Sequence, residues 1–336
     1  MSFEHLDFEF VSGFEIRISN LRSETLNILD RTIVSDLSTN IAGIEMQNPV
    51  MVASGTFGYG REYDALFDLN KLGALITKGI SLRPMMGNPP PRIWETPSGL
   101  LNAIGLQNVG VEAFLKDKLP FLSALKIPVI VNILGHSLKE YGEVARHLDG
   151  RPGLAGLEIN ISCPNVAQGG LAFGAQPRSA AKAVDQVRRA TRMPLLVKLT
   201  PQVTDIAVIA KAVEEAGADA VSLINTIPGM AVDIYTRRSR LGCPGGGLSG
   251  PAVKPVALRL VYQTVQAVSI PVIGLGGIRT AEDALEFLMV GARAVQIGTA
   301  NFIRPTAAIE VIEGVKKFME EQKIRKLSKL IGTFLS

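Results

Sequence analysis

Short apolar runs recur along this chain, and most are followed by a longer amphipathic stretch; that rhythm constrains the fold more than any other feature. The candidate strands are Pro49–Ser54, Ala74–Thr77, Pro128–Asn132, Gly156–Asn160, Leu195–Lys198, Ala220–Ile224, Val272–Gly274 and Ala294–Ile297, eight in all. The spacing predicts helices over Glu62–Leu69, Val111–Ala124, Leu138–Leu148, Ser179–Thr191, Thr204–Ala216, Val253–Val268, Ala281–Val290 and Thr306–Glu321. The runs "PVIVNI", "PLLVKL" and "DAVSLI" are continuously apolar, as strands buried on both faces should be. Eight such repeats close naturally into a (β/α)8 TIM barrel. The competing open doubly wound sheet would show an early GxGxxG turn opening a helix, and none is found. At 336 residues the length alone allows two domains. The repeat instead gives one barrel with an N-terminal extension.

Composition narrows the partners. Apolar residues make up 47% and charged residues 20%, enough to build a large core. The net charge of +4 comes with no dense basic run, which disfavours nucleic acid and suits an anionic small molecule. Two cysteines, Cys163 and Cys243, exclude a disulfide framework and any four-cysteine cluster within the chain, and suit a reducing cytoplasm. Three scattered histidines give no zinc site, so no metal is expected. The first 29 residues lack the pattern of a signal peptide, and no apolar run of about 18 residues exists to span a membrane.

Polar residues collect at the C-terminal ends of the strands, where barrel enzymes place their chemistry. "GLGGIRT" after the seventh strand and "QIGTA" after the eighth offer Gly276, Gly277, Gly298 and Thr299 as a phosphate site, because glycine lets backbone N–H groups approach closely. Either turn alone would be only a tight turn; both at matching positions point to phosphate. Lys198 ends an apolar strand, and a lysine inside a barrel must be paired or functional. Lys78 ends the second strand in the same way. Cys163 lies in "NISCPN", a polar loop just past the fourth strand, and is a candidate base or nucleophile; no histidine neighbours it in sequence. Asn102, Asn132, Asn160, Asn165 and Asn225 each carry donor and acceptor, as a pocket for a planar amide heterocycle requires. Cys243 reads as structural, His136 and His147 as surface or helix-edge residues, and Trp94 as packing. Two Pro/Gly-rich excursions, 79–110 and 226–252, follow barrel strands and so belong over the catalytic face. On these residues alone a Schiff-base aldolase using Lys198, or a phosphate-binding scaffold, stays open.

Taken in order, "NPVMVASGTFG", "TKGIS", "LLNAIGLQN", "EINISCPNV", "LVKLTP", "GGLSG", "GLGGI" and "QIGTA" resemble the class 1 dihydroorotate dehydrogenases, the FMN barrels of pyrimidine (UMP) biosynthesis. The resemblance runs from about Thr32 to the C-terminus, which divides the chain into a 1–31 extension of unknown role and a 32–336 FMN-binding barrel. "RPMMGNPPPRIWETPSGLLNAIGLQN" and "GGGLSGPAVKPVALRLV" are most like the class 1B, NAD-linked catalytic subunit. The resemblance implies that dihydroorotate is oxidised to orotate, with Cys163 as base and Lys198 stabilising the reduced flavin. It implies substrate contacts from Lys78, Asn102, Ala103, Ile104, Gly105, Leu106, Asn160, Asn165, Asn225 and Thr226. It implies flavin contacts from Ser54, Lys78, Gly79, Asn132, Asn160, Lys198, Ile224 and Gly250, with Gly276, Gly277, Gly298 and Thr299 at the phosphate. It further implies a homodimer core, extended to a heterotetramer by a partner subunit carrying FAD and a 2Fe–2S cluster, and a loop, Val166–Pro177, that closes over substrate. The fumarate-using class 1A enzymes and the dihydropyrimidine dehydrogenases are the neighbouring possibilities.

Overall fold

The computed structural model describes residues 34–162, 164–165 and 171–335. The expectations for 1–31, for Cys163 and for the first part of the Val166–Pro177 loop lie outside the described residues. The compact unit Ser35–Ser336 is built on a closed, all-parallel eight-stranded barrel. Its strands are β1 (Val50–Val52), β2 (Ala74–Ile76), β3 (Val129–Ile133), β4 (Gly156–Asn160), β5 (Leu195–Lys198), β6 (Ala220–Leu223), β7 (Val272–Leu275) and β8 (Ala294–Ile297). Each pairs with its neighbour in sequence, and β8 pairs with β1 to close the ring. All eight stand where the apolar runs predict them, because a strand sealed on both faces leaves an uninterrupted apolar signature.

Outside the barrel run α1 (Leu138–Leu148), α2 (Pro177–Arg188), α3 (Ile206–Glu215), α4 (Lys254–Val265), α5 (Ala281–Met289) and α6 (Ala307–Glu321). Their starts follow local chemistry: Ser137 caps α1 by accepting from the Glu140 amide, and Thr280 with Asp283 forms a capping box on α5. The stretch predicted helical over Val111–Ala124 is helical in three pieces, Gly110–Ala113, a π-turn at Phe114–Lys118 and Leu119–Leu122.

One predicted helix is absent. Residues 62–69 form turns, followed by a short 3-10 turn at Leu69–Lys71. Tyr63 stacks face to face on Phe57 at 3.9 Å, and the Glu62 carboxylate accepts from the Tyr59 amide. Those contacts bury the aromatic face of the segment without a helical repeat, so its apolar spacing misled.

Alternation along each strand sorts the side chains. Leu157, Ile159, Leu195 and Val197 belong to the outer core beneath the helices. Met51, Ala74, Ile130, Leu196, Ala220, Ile273 and Ala294 fill the barrel's interior floor, sealed by Ile41, Ile44 and Met46 of the hairpin Thr39–Ile41/Ile44–Met46. Above that apolar plug the interior turns polar: Asn132, Glu158, Lys198, Ser222 and Gln296 are all buried. The two long excursions meet over the open end as one antiparallel sheet, in which Ile93–Thr96, Gly99–Asn102, Gly246–Ser249 and Ile227–Gly229 pair in turn. Among the described residues no helix is long and apolar enough to cross a membrane.

Candidate active site

A cavity of about 410 Å³ opens above the polar layer, between the barrel's C-terminal rim and the antiparallel sheet. Its lining gathers nearly every residue selected from sequence: Ser54, Lys78, Gly79, Asn102, Ala103, Ile104, Gly105, Leu106, Asn132, Asn160, Lys198, Ile224, Asn225, Thr226, Gly250, Gly276, Gly277, Gly298 and Thr299. Ser162, the neighbour of Cys163, lines it too. Asn165 is described by its backbone, which pairs with Leu171.

Lys198 lies at the cavity floor. Its Nζ donates to Ser54 Oγ at 3.3 Å, and among the described residues no carboxylate lies within ion-pair distance. Burial pushes its ammonium below the usual lysine range, while the negative charge of Glu158 opposes that shift. Lys78, half-buried, is also pushed down, by burial first and then by the Arg92 charge. The cavity thus concentrates positive charge in a desolvated place, a setting for an anion.

The asparagines do not offer all their atoms to a ligand. Asn132 Nδ2 donates to Glu158 Oε1 at 2.7 Å, and Asn102 Nδ2 to the Gly247 carbonyl at 3.1 Å. Asn160 Oδ1 accepts from the Ser162 amide, and among the described residues its NH2 has no acceptor. Asn225 uses one N–H on Ser162 Oγ and one lone pair on the Thr226 amide, and keeps a second of each. Gly79 is required by close approach, since a Cβ there would stand 2.7 Å from Leu134 Cδ2 and 2.8 Å from Asn132 Oδ1.

The opposite wall carries the two glycine turns. Gly276 and Gly277 hold φ of +126° and +80°, conformations that side-chain-bearing residues rarely adopt. Among the described residues the amides of Gly276, Gly277, Gly298 and Thr299 have no acceptor within the chain. A Cβ at Gly298 would meet nothing nearer than Ala53 Cβ at 3.6 Å and Thr56 at 4.0 Å, both of which line the cavity. Thr299 Oγ1 donates to Ser249 Oγ at 2.7 Å and ties the turn to the covering sheet. Unpaired amides on one wall and a lone buried ammonium on the floor fit a phosphate monoester carrying an electron-accepting heterocycle, and flavin mononucleotide is such a group.

Sequence reasoning overlooked Glu158, Ser222 and Gln296. The signal was available: Glu158 interrupts an apolar strand two positions before Asn160, on the same inward face. Trp94, expected to pack, does so under the Arg240 guanidinium at 4.6 Å, and Cys243 donates to the Gly245 carbonyl.

Comparison with known proteins agrees with this geometry. A family model described as dihydroorotate dehydrogenase matches residues 36–319. A protein of Geotalea uraniireducens named dihydroorotate dehydrogenase B (NAD(+)), catalytic subunit, is 58% identical over 301 residues, covering 90% of this chain and 99% of the relative. Proteins of the same name from Geotalea daltonii (58% identical over 297 residues, 88% of this chain and 97% of the relative) and Thermodesulfovibrio yellowstonii (55% over 298 residues, 89% and 98%) are similar too.

Proposed function

The chain belongs to the dihydroorotate dehydrogenase family, and on that premise we propose that it oxidises (S)-dihydroorotate to orotate with FMN in the described cavity, passing electrons onward to NAD through a partner subunit. The observation that carries this reading is the cavity itself, with the buried Lys198 ammonium on its floor and four unpaired turn amides on its wall. FMN, when bound, supplies the two-electron acceptor for hydride from one ring carbon of the substrate.

The chain's own residues do the rest. Gly276, Gly277, Gly298 and Thr299 hold the phosphate through their backbone N–H groups. Gly79, Ser54, Asn132, Ile224 and Gly250 line the flavin ring, and Lys198 holds positive charge where negative charge grows on reduction. Lys78 and Asn102 hold the substrate carboxylate, a group that a pyrimidine-reducing relative would not need to bind. Asn160, Asn165, Asn225, Thr226 and the backbone from Ala103 to Leu106 orient the pyrimidine. Cys163 takes the proton from the ring carbon beside the hydride donor, as a thiolate whose basicity its surroundings tune. The loop that follows Cys163, expected to close over substrate, would exclude water from the reacting atoms.

The relatives are named catalytic subunits, which supports a partner subunit; that partner carries FAD and a 2Fe–2S cluster, on a homodimeric core of this chain in the cytoplasm. Residues 1–31 precede the matched region and form an extension to the 32–336 catalytic barrel. The test is product formation. The purified chain given dihydroorotate and an artificial electron acceptor should yield orotate, identified by mass spectrometry, and should use NAD only when the partner is added. A chain that binds FMN and forms no orotate overturns the substrate assignment.

A further inference from the structure

Glu158 is the acidic residue of the barrel interior that neither the cavity lining nor the reading above uses. It has no solvent exposure, and the cavity does not reach it. Register places it beside Leu196 on β5, one inward step below Lys198, and beside Asn132 on β3. Its oxygens accept from three neutral donors: Asn132 Nδ2 at 2.7 Å on Oε1, and Ser222 Oγ and Gln296 Nε2, each at 2.9 Å, on Oε2. A buried carboxylate is costly, and an apolar residue would fill this position with less penalty. Its retention in an otherwise well-packed interior calls for a role that a neutral side chain does not supply.

We propose that Glu158 is a positioning residue: its carboxylate fixes the direction of the Asn132 and Gln296 amides and provides the counter-charge for the Lys198 ammonium.

A carboxylate only accepts, so each amide touching it must turn its NH2 inward and its carbonyl oxygen away. Gln296 Oε1 has no hydrogen-bond partner among the described residues, although the residue is fully buried and lines the cavity. Asn132 Oδ1 lies against Gly79 at the same rim. Glu158 thereby makes both amides acceptors toward the cavity, ready for ring N–H groups of a bound heterocycle. A neutral glutamine at 158 would let the Gln296 amide invert and present a donor instead.

Glu158 also bears on the charge of Lys198. Burial works against its ammonium, and Glu158 is the charged group that favours it. Ser54, its hydrogen-bond partner, carries no charge. Lys198 meets the cavity and Glu158 does not, so Glu158 acts through Lys198 rather than on a ligand.

The test uses the full chain freed of cofactor, so it does not depend on what the pocket binds. The modification rate of the Lys198 amine by acetic anhydride is followed against pH, by peptide mass spectrometry, for the wild type, Glu158→Gln, Glu158→Asp and Ser222→Ala. Glu158→Gln is expected to move the Lys198 midpoint down by one unit or more, which is about tenfold faster labelling at a fixed pH below it. Glu158→Asp, with its charge withdrawn by one methylene, shifts the midpoint less and in the same direction. Ser222→Ala removes a hydrogen bond but no charge and leaves the midpoint in place. A wild-type profile in the glutamate variants, or an equal shift in Ser222→Ala, overturns the proposal. A second readout rests on the flavin reading of the site: the reduction potential of bound FMN should shift in Glu158→Gln and hold in Ser222→Ala. A shifted lysine profile in a chain that binds no flavin would leave the positioning role standing and overturn the functional assignment alone.

Discussion

Adding one methyl group at Gly298 separates phosphate recognition from folding. The backbone at this position carries no positive φ, and a Cβ would meet nothing closer than 3.6 Å, so Gly298→Ala should change stability by no more than about 0.5 kcal/mol. The methyl would instead face Ala53 and Thr56, which line the same cavity beside the Gly298 amide. Displacing one hydrogen bond to a charged phosphate costs about 1.5–3 kcal/mol, which weakens FMN binding by about 10- to 150-fold. The assay is a flavin fluorescence titration of the cofactor-free chain, run in parallel with FMN and with riboflavin, which lacks the phosphate. The loss should appear for FMN and not for riboflavin. Gly276→Ala is the contrast: its φ of +126° and a Cβ contact of 2.7 Å with Ala257 predict a lower melting temperature, because both strain and overpacking are forced on the core. Equal losses for FMN and riboflavin in Gly298→Ala, or no loss for either, would refute the placement of the phosphate.

Other outcomes follow from particular contacts. Lys254 Nζ reaches Asp283 at 2.7 Å and Glu286 at 2.8 Å, bracing the two helices beside the glycine turn, so Lys254→Met should destabilise by about 1–2 kcal/mol at neutral pH in thermal melts. Burial alone would raise the Asp283 carboxyl, but the Lys254 hydrogen bond, the Arg279 and Thr280 amides and the Lys254 charge outweigh it and hold it low; the brace is therefore complete above the ordinary value of 3.8 and lost as pH falls through the depressed one, so the gap between variant and wild type should close in acid. Cys163→Ala should cut turnover by about 10²- to 10⁴-fold while FMN affinity holds, and an unaffected rate would remove Cys163 from the base's role. Borohydride added with dihydroorotate should leave the mass of Lys198 peptides unchanged; a trapped adduct would revive the Schiff-base reading.

The barrel was legible because its strands are sealed on both sides, and the apolar runs mark all eight. The positions of the site residues followed, since polar side chains at strand ends can only point to the open end of such a barrel. What escaped notice was decided in three dimensions. The turns at 62–69 carry helix-like apolar spacing that an aromatic stack satisfies instead. The antiparallel sheet over the cavity joins segments more than a hundred residues apart, as in the pairing of Leu101 with Leu248, and neither segment has the length to declare itself a strand. The hairpin plug at Thr39–Met46 is equally short. Glu158 was hidden because a single charge inside an apolar run looks like an exception, whereas strand alternation places it beneath Lys198 and Asn160. Asn102, Asn132, Asn160 and Asn225 line the cavity, but which of their atoms face it depended on partners such as Glu158 and Ser162.

A flavin held in this cavity should be reduced by dihydroorotate. The most direct measurement is anaerobic: the chain purified alone, loaded with FMN, is mixed with L-dihydroorotate while the oxidised flavin band near ~450 nm is followed. The band should bleach, with one substrate consumed per flavin reduced. A yellow protein whose band is unchanged by dihydroorotate would contradict that expectation.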